Sequence, residues 1–590
     1  MVIVKTLIKY LVLLFIGSYI LSGTLVYGQE VKAYASQLGF YTEGTKKVIL
    51  THVKENQKFS IVNLKNKKVV FTGKLAAGKK SPVSEIVGYE ADFSSLAENG
   101  YYAFQYNGRN LDSFYIKSSV YNDVSIGAIK SYYYQRVSMP LLPQYAGKWH
   151  RPAGHPDTLV YLHPSASNSV DENKKTISSP GGWYDAGDYN KYIVNSGITM
   201  GTMLSAYEDF GSYYDTLSLN IPESNNALPD IIDEILYNLR WMLTMQDDDG
   251  GVFTKCTNAS FDGMVMPGVT KDKRYVVQKS TAATLDFAAV TAQATRVFKN
   301  FPQLLSLSDS CLLAAKQAWQ WAVKNPSLYY DQDEMNKHYQ PAITTGGYGD
   351  KYLKDEWFWA ASELYVTTRD NGFLQAANDN WSASFNLQGW PNVGMMGLYT
   401  LLKYQPQISL PTTFYQQLQQ KLLQLADEYI VAQTKTPFST VMGYSAANFS
   451  WGSNAVAANQ SMLLLKTYLF TGEVKYANAA LSNLDYLTGR NATGYSFVTG
   501  FGKKTPMHPH HRPSVADGIV EPVPGFLVGG PNKNAATQDK CTYPNLLPEL
   551  QYNDVSCSYA SNEVAINWNA PLVYIAGAFE AARHLLRWTK

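Results

Sequence analysis

From about residue 120 to the end of the 590-residue chain, apolar residues keep recurring with the period of an amphipathic α-helix. The clearest run starts at Leu228, where Ile231, Ile232, Ile235, Leu236, Leu239, Met242 and Leu243 complete one stripe and Pro229 suits a first turn. Similar runs lie near 124–136, 190–210, 281–298, 308–324, 356–369, 391–404, 413–433, 454–471, 474–488 and 564–587, with a shorter one near 372–380. So many helices with few strands between them must bury their stripes against one another. A barrel of paired helices with its loops gathered at one end fits. A solenoid would need a fixed-period repeat, and none is found. The long glycine- and aromatic-rich loops at 146–188, 330–355 and 494–562 are where function is expected.

Residues 30–118 read differently. Short alternating stretches such as KKVILTH, KFSIVNL and GYYAFQY are separated by turn residues, including the hairpin signal Asn107-Gly108. They predict a small immunoglobulin-like sandwich, expected to buttress the helical part of the chain more than to bind carbohydrate. Residues 1–28 read as a secretory signal, with Lys5 and Lys9 before the apolar run 11–21 and Val26 and Gly28 before a cut. A signal of this kind predicts export to the periplasm or medium, without stable membrane insertion. The 50 Lys and Arg against 48 Asp and Glu leave no field that would attract nucleic acid. Export permits disulfides. Cys541 and Cys557 flank one loop and are the favoured pair, whereas Cys256 and Cys311 are open to pairing or separate burial.

Three segments carry chemistry. GGWYDAGDYNKY, residues 181–192, sets Asp185 and Asp188 three residues apart among glycines and aromatics. Paired acids can activate a water as general base, although a single such motif is more often a helix cap. YNDVSCSYASNEVAINWNA, residues 552–570, holds Asp554 and Glu563 beside Tyr559 and Trp568. An apolar wall there would keep Glu563 protonated, as a general acid must be. The competing reading is a first-turn helix acid. FVTGFGKKTPMHPHHRPS, residues 497–514, packs His508, His510, His511 and Arg512 together. Pro509 and Arg512 argue against a metal site there and for recognition of hydroxyl groups. Two separated acids with aromatic loops are the equipment of glycoside hydrolysis.

These motifs, with VVQKSTAATLDFAAV at 276–290 and GGPN at 529–532, resemble glycoside hydrolase family 9, in the subgroup with an N-terminal immunoglobulin-like domain. The resemblance runs from about residue 30 to the C-terminus. It implies a mainly α chain whose catalytic domain, 119–590, is an (α/α)6 barrel preceded by a small all-β domain at 29–118. It further implies an inverting cellulase, an endo-β-1,4-glucanase, with Asp188 as base, Asp185 holding the water and Glu563 as acid. The two carboxyls of an inverting pair stand roughly 6.5–9.5 Å apart. His510 and Arg512 would bind the sugar beside the scissile bond, Tyr559 and Trp451 would line the cleft, and Asp554 would order its loop. An exo-acting cellodextrinase or β-glucosidase, its cleft walled by residues 151–180 or 533–553, is the second reading. A noncatalytic carbohydrate-binding protein is the third. The chain ends at Lys590 with no cellulose-binding module, which favours soluble or amorphous glucan or cellodextrins over crystalline cellulose as substrate; a monomer is expected.

No cofactor is required for that chemistry. The subgroup's structural zinc is not expected, because Val137 and Gly154 replace its two cysteines and Tyr184 one histidine, leaving only His155. GGYGDKYLKDEWFWAASEL, residues 346–364, resembles the family's calcium-binding stretch, with Asp350, Asp355 and Glu356 as hard oxygen ligands.

Overall fold

The computed structural model describes residues 30–166 and 175–583. The signal segment, residues 167–174 of the 151–180 loop and the last seven residues lie outside that range.

Nine strands, β1–β9, run from Lys32–Tyr34 to Arg109–Lys117. They form a four-stranded sheet, β1-β3-β7-β6, facing a five-stranded one, β2-β9-β8-β4-β5. Alternation puts Phe40, Leu50, Phe59, Ile61, Tyr102, Phe104 and Phe114 in the core between them. The β8–β9 turn uses Asn107 and Gly108, both at positive φ (48° and 75°), as the dipeptide predicts. Two buried acids bind this domain to the helices. Glu580 accepts from the Tyr41 hydroxyl (2.7 Å) and from the Val120 and Tyr121 N–H groups. Glu549 accepts from the hydroxyls of Ser81 and Ser84.

Twelve long helices follow. They are α1 Asn122–Gln135, α2 Ile193–Tyr214, α3 Asp230–Thr244, α4 Thr281–Phe298, α5 Leu305–Lys324 and α6 Lys354–Thr368. Then come α7 Asn371–Asn380, α8 Gly394–Tyr404, α9 Thr412–Lys435, α10 Ser453–Thr471, α11 Val474–Leu487 and α12 Ile566–Ala582. The even-numbered helices touch in a closed ring, α2-α4-α6-α8-α10-α12 and back to α2, and the odd-numbered ones pack around it. This is the (α/α)6 barrel. Inner helices are buried on nearly every side; in α4 only Arg296 is not buried. α3, an outer helix, keeps one amphipathic stripe, and Pro229 precedes it as N-cap.

Each inner helix follows an outer one and returns in the same sense. The segments leading into the inner helices therefore gather at one mouth. Short strands there pair in a sheet that the periodicity did not announce: β10 Val160–Leu162, β11 Thr176–Ile177, β12 Lys191–Tyr192, β13 Lys255–Asn258 and β14 Arg274–Val276. Strands of two to four residues are too short to show a period of two. The Cys541–Cys557 disulfide forms, and Cys256 and Cys311 are each buried and unbridged.

Candidate active site

Asp185 and Asp188 do not cap a helix. Tyr192 is the N-cap of α2, and it makes no side-chain cap bond. Instead a backbone ladder ties the acid loop to two distant segments. Ile566 N–H donates to Asp185 C=O (2.8 Å), Arg512 N–H to Gly187 C=O (3.1 Å) and His510 N–H to Asn562 C=O (2.8 Å). Ala186 bridges Ala565, and His510 bridges Glu563. Gly187 is obligatory in this arrangement, since a Cβ there would lie 2.1 Å from the His510 carbonyl oxygen. Glu563 is extended, three residues ahead of α12, and is thus not a first-turn helix acid.

The three carboxyls differ in their surroundings. Asp185, 1% exposed, accepts both Asn195 Nδ2 contacts (2.9 and 3.0 Å) and the Tyr348 hydroxyl (3.0 Å). Burial, then the Asp188 charge, push it up to about 8. Asp188 is also raised by burial, but the Arg512 guanidinium and donors from Asn190 and Tyr192 oppose the rise. Glu563 is raised well above the usual range by burial and by both aspartates, against weaker opposition from Arg512 and the Gly187 N–H. The site therefore favours one negative charge, on Asp188, facing a protonated Glu563.

Glu563 opens onto a cleft of about 720 Å³ lined by Tyr348, Trp390, Trp451, Asn459 and Trp568. Trp451 is 41% exposed, its ring 5.6 Å from that of Tyr559, which lies 5.6 Å from the His510 ring. Arg512 is largely spent as a strut, with Nε donating to Asp262 C=O (2.9 Å) and Nη1 to Gly187 C=O (2.7 Å). His510 Nδ1 meets Ser556 C=O at 2.7 Å. The Asp554 carboxylate accepts the Met507 and His508 N–H groups and Asn562 Nδ2, holding the histidine loop. Tyr348 and Trp390 were not singled out by sequence. Half-buried aromatics in glycine turns read the same as core aromatics.

The zinc position is filled otherwise. His155 Nδ1 and the Tyr184 hydroxyl share a 2.8 Å hydrogen bond, and Val137, Tyr184 and Tyr189 form one buried cluster. A Cβ on Gly154 would sit 2.5 Å from Pro267 Cβ, so the Pro267 segment occupies the place of a second sulfur. These residues do not fit zinc. The calcium stretch reads differently. Among the described residues no three side chains already converge as a tight metal cage. Yet Asp286 on α4 has both carboxylate oxygens buried without partners, as are one oxygen each of Asp350, Asp355 and Glu356. Burial raises the pKa of all four, and Asp286 and Glu356 feel the charges of their acidic neighbours. Unpartnered carboxylate oxygens gathered from four acids suit a hard cation.

Residues 121–576 match the sequence profile of Glycosyl hydrolase family 9, and residues 34–110 match that of the Cellulase N-terminal ig-like domain. The chain belongs to glycosyl hydrolase family 9. It is a glycoside hydrolase with the cellulase-type domain ahead of its barrel. A xyloglucan-specific endo-beta-1,4-glucanase of Bacteroides ovatus is 45% identical over 92% of this chain and 93% of its own length. Endoglucanase D of Acetivibrio thermocellus is 34% identical over 87% of this chain and 78% of its own. The solved structure of a Bacteroides ovatus family 9 protein superposes with a TM-score of 0.88 at 44% identity, covering 93% of this chain and 99% of that one.

Proposed function

We propose that this glycoside hydrolase is an exported endo-β-1,4-glucanase that inverts the anomeric carbon. The pairing of a charge-supported Asp188 with a protonated Glu563 across one backbone ladder carries the reading. Asp188 takes a proton from a water held with Asp185, and the water oxygen attacks C1. Glu563 gives its proton to the departing glycosidic oxygen. Two hydroxyl groups replace one glycosidic bond and one water. Asp188 and Glu563 then exchange protons with solvent to reset. NMR of the first product from a soluble β-1,4-glucan should show the α-anomer. A first product in the β configuration would refute inversion.

Xyloglucan is the glucan we expect it to cleave best, supported by the 45% identity to a xyloglucan-specific enzyme. No described helix is long and apolar enough to cross a membrane. Export rests on the leader-like N-terminus.

A structural calcium ion held by Asp286, Asp350, Asp355 and Glu356 completes the proposal. It would neutralise carboxylates next to the segment that carries Tyr348, and so steady Asp185. Folded pKa values raised above the unfolded ones make ionisation of these acids oppose folding as pH rises past about 4. Metal binding reverses that term and needs the ionised acids. Calcium should therefore raise the Tm of chelator-treated protein by about 3–5 °C at pH 8 and by less at pH 5. Elemental analysis should find calcium without stoichiometric zinc. An equal Tm with and without calcium at pH 8 would exclude the site.

A further inference from the structure

Lys255 opens β13 with its side chain fully buried. Its Nζ donates to Gln332 Oε1 (2.6 Å), Thr345 Oγ1 (3.1 Å) and the Gly346 carbonyl (2.7 Å). Three acceptors take all three hydrogens of an ammonium, and a neutral amine has only two. The three acceptors are uncharged. A buried cation held by uncharged oxygens is costly, so its place calls for a reason.

The neighbours supply one. Lys255 and Tyr192 stand opposite each other across the β12–β13 pair, so their side chains share one side of the sheet. The ammonium lies 5.5 Å from the centre of the Tyr192 ring and 5.4 Å from that of Tyr330. The Tyr192 hydroxyl donates to Asp188 Oδ2 (3.2 Å) and accepts the Gly346 N–H (3.1 Å). Thr345 Oγ1 lies 2.6 Å from Thr257 Oγ1, which donates to Asn190 Oδ1 (3.0 Å), and Asn190 Nδ2 donates to Asp188. Tyr192 and Asn190, the two side chains that donate to Asp188, are thus both tied to the turn 345–346, and Lys255 grips that turn at two points. The Asp188 charge helps Lys255 keep its proton against burial, and such coupling is mutual. Asp188 also faces the charge of Arg512, the acids Asp185 and Glu563, and the phenols of Tyr192 and Tyr348.

We propose that Lys255 is a positioning residue for the catalytic base. It fastens the turn from which the Asp188 donors hang, and its charge, with that of Arg512, keeps Asp188 ionised among its acidic neighbours. This role rests on the reading of Asp188 as base.

The acid limb of kcat/KM reports the ionisation of the base in the free enzyme. Without the Lys255 charge Asp188 takes a proton more easily, so in Lys255→Met that limb should move up by about half a pH unit or more. The kcat at the optimum should fall about tenfold. Gln332→Glu leaves the lysine and the core in place and sets a carboxylate against the ammonium. It should move the same limb in the same direction, and it decides alone if Lys255→Met does not fold. A limb that stays at its wild-type pH in either folded variant would overturn the proposal, since a merely structural lysine alters kcat or Tm and leaves the limb alone. Asp188→Asn judges the base reading by itself. Its residual activity should lack the acid limb, and a limb that persists there would refute that reading whatever Lys255 does.

Discussion

Replacing Glu563 by Gln is expected to lower kcat on a soluble β-1,4-glucan by about 10³-fold or more. The amide keeps the shape and the backbone bridge to His510 but has no proton to give a leaving alkoxide. The wild-type rate should fall on the alkaline side as pH rises through the raised pKa of Glu563, and that limb should be missing from the residual activity of the variant. On the acid side the rate should fall as Asp188 takes a proton, above the ordinary carboxylate value of about 4 because burial raises it. Stability supplies a second readout. The folded pKa of Glu563 lies above its unfolded value, so its stabilising effect is complete below about pH 4 and is lost as pH rises through the folded pKa. Gln cannot ionise, so the variant should melt no lower than wild type at pH 8. A variant that retains a tenth of wild-type kcat would remove Glu563 from the acid role.

Asp188→Asn should be nearly as severe, with kcat down by about 10³-fold, while Asp185→Asn should cost less. The difference follows from their partners. Asp188 is supported by Arg512, Asn190 and Tyr192, and in the proposed mechanism its charge removes the proton. Asp185 is pushed up to about 8 and held by Asn195 and Tyr348, which suits its proposed task of placing the water. Steady-state kinetics on one glucan with both variants measures the order. Greater loss in Asp185→Asn would exchange the two roles. Unchanged Kd for cellohexaose in both would show that chemistry, not folding or binding, was lost.

Long periodic helices were legible in the sequence because burial enforces the period. For α4 both predicted ends agree with the structure, and Ser280 caps it by accepting the Ala283 N–H. The candidate acids were legible through the long motifs that resemble glycoside hydrolase family 9, since taken singly the Asp185–Asp188 pair reads as a helix cap and Glu563 as a first-turn acid. The short strands β10–β14 were not, being shorter than any period. Asp286 went unnoticed although an acid between Leu285 and Phe287 in a fully buried stretch was itself the signal. Tyr348 and Trp390 could not be separated from core aromatics, since what each ring packs against is decided by segments brought together only in the fold. Arg512 was read as a sugar ligand from its neighbours in sequence, and its guanidinium is mostly occupied by the carbonyls of Gly187 and Asp262.

The ring of inner helices closes where α12 meets α2, and the acid stands on the segment that brings α12 home. During synthesis the base is made near residue 188 and waits for 375 more residues (563 − 188) before its partner exists. A nascent chain that stops short of residue 563 has Asp188 and lacks Glu563. On the proposed mechanism, hydrolysis waits until the segment that carries Glu563 has been made and has docked against the acid loop.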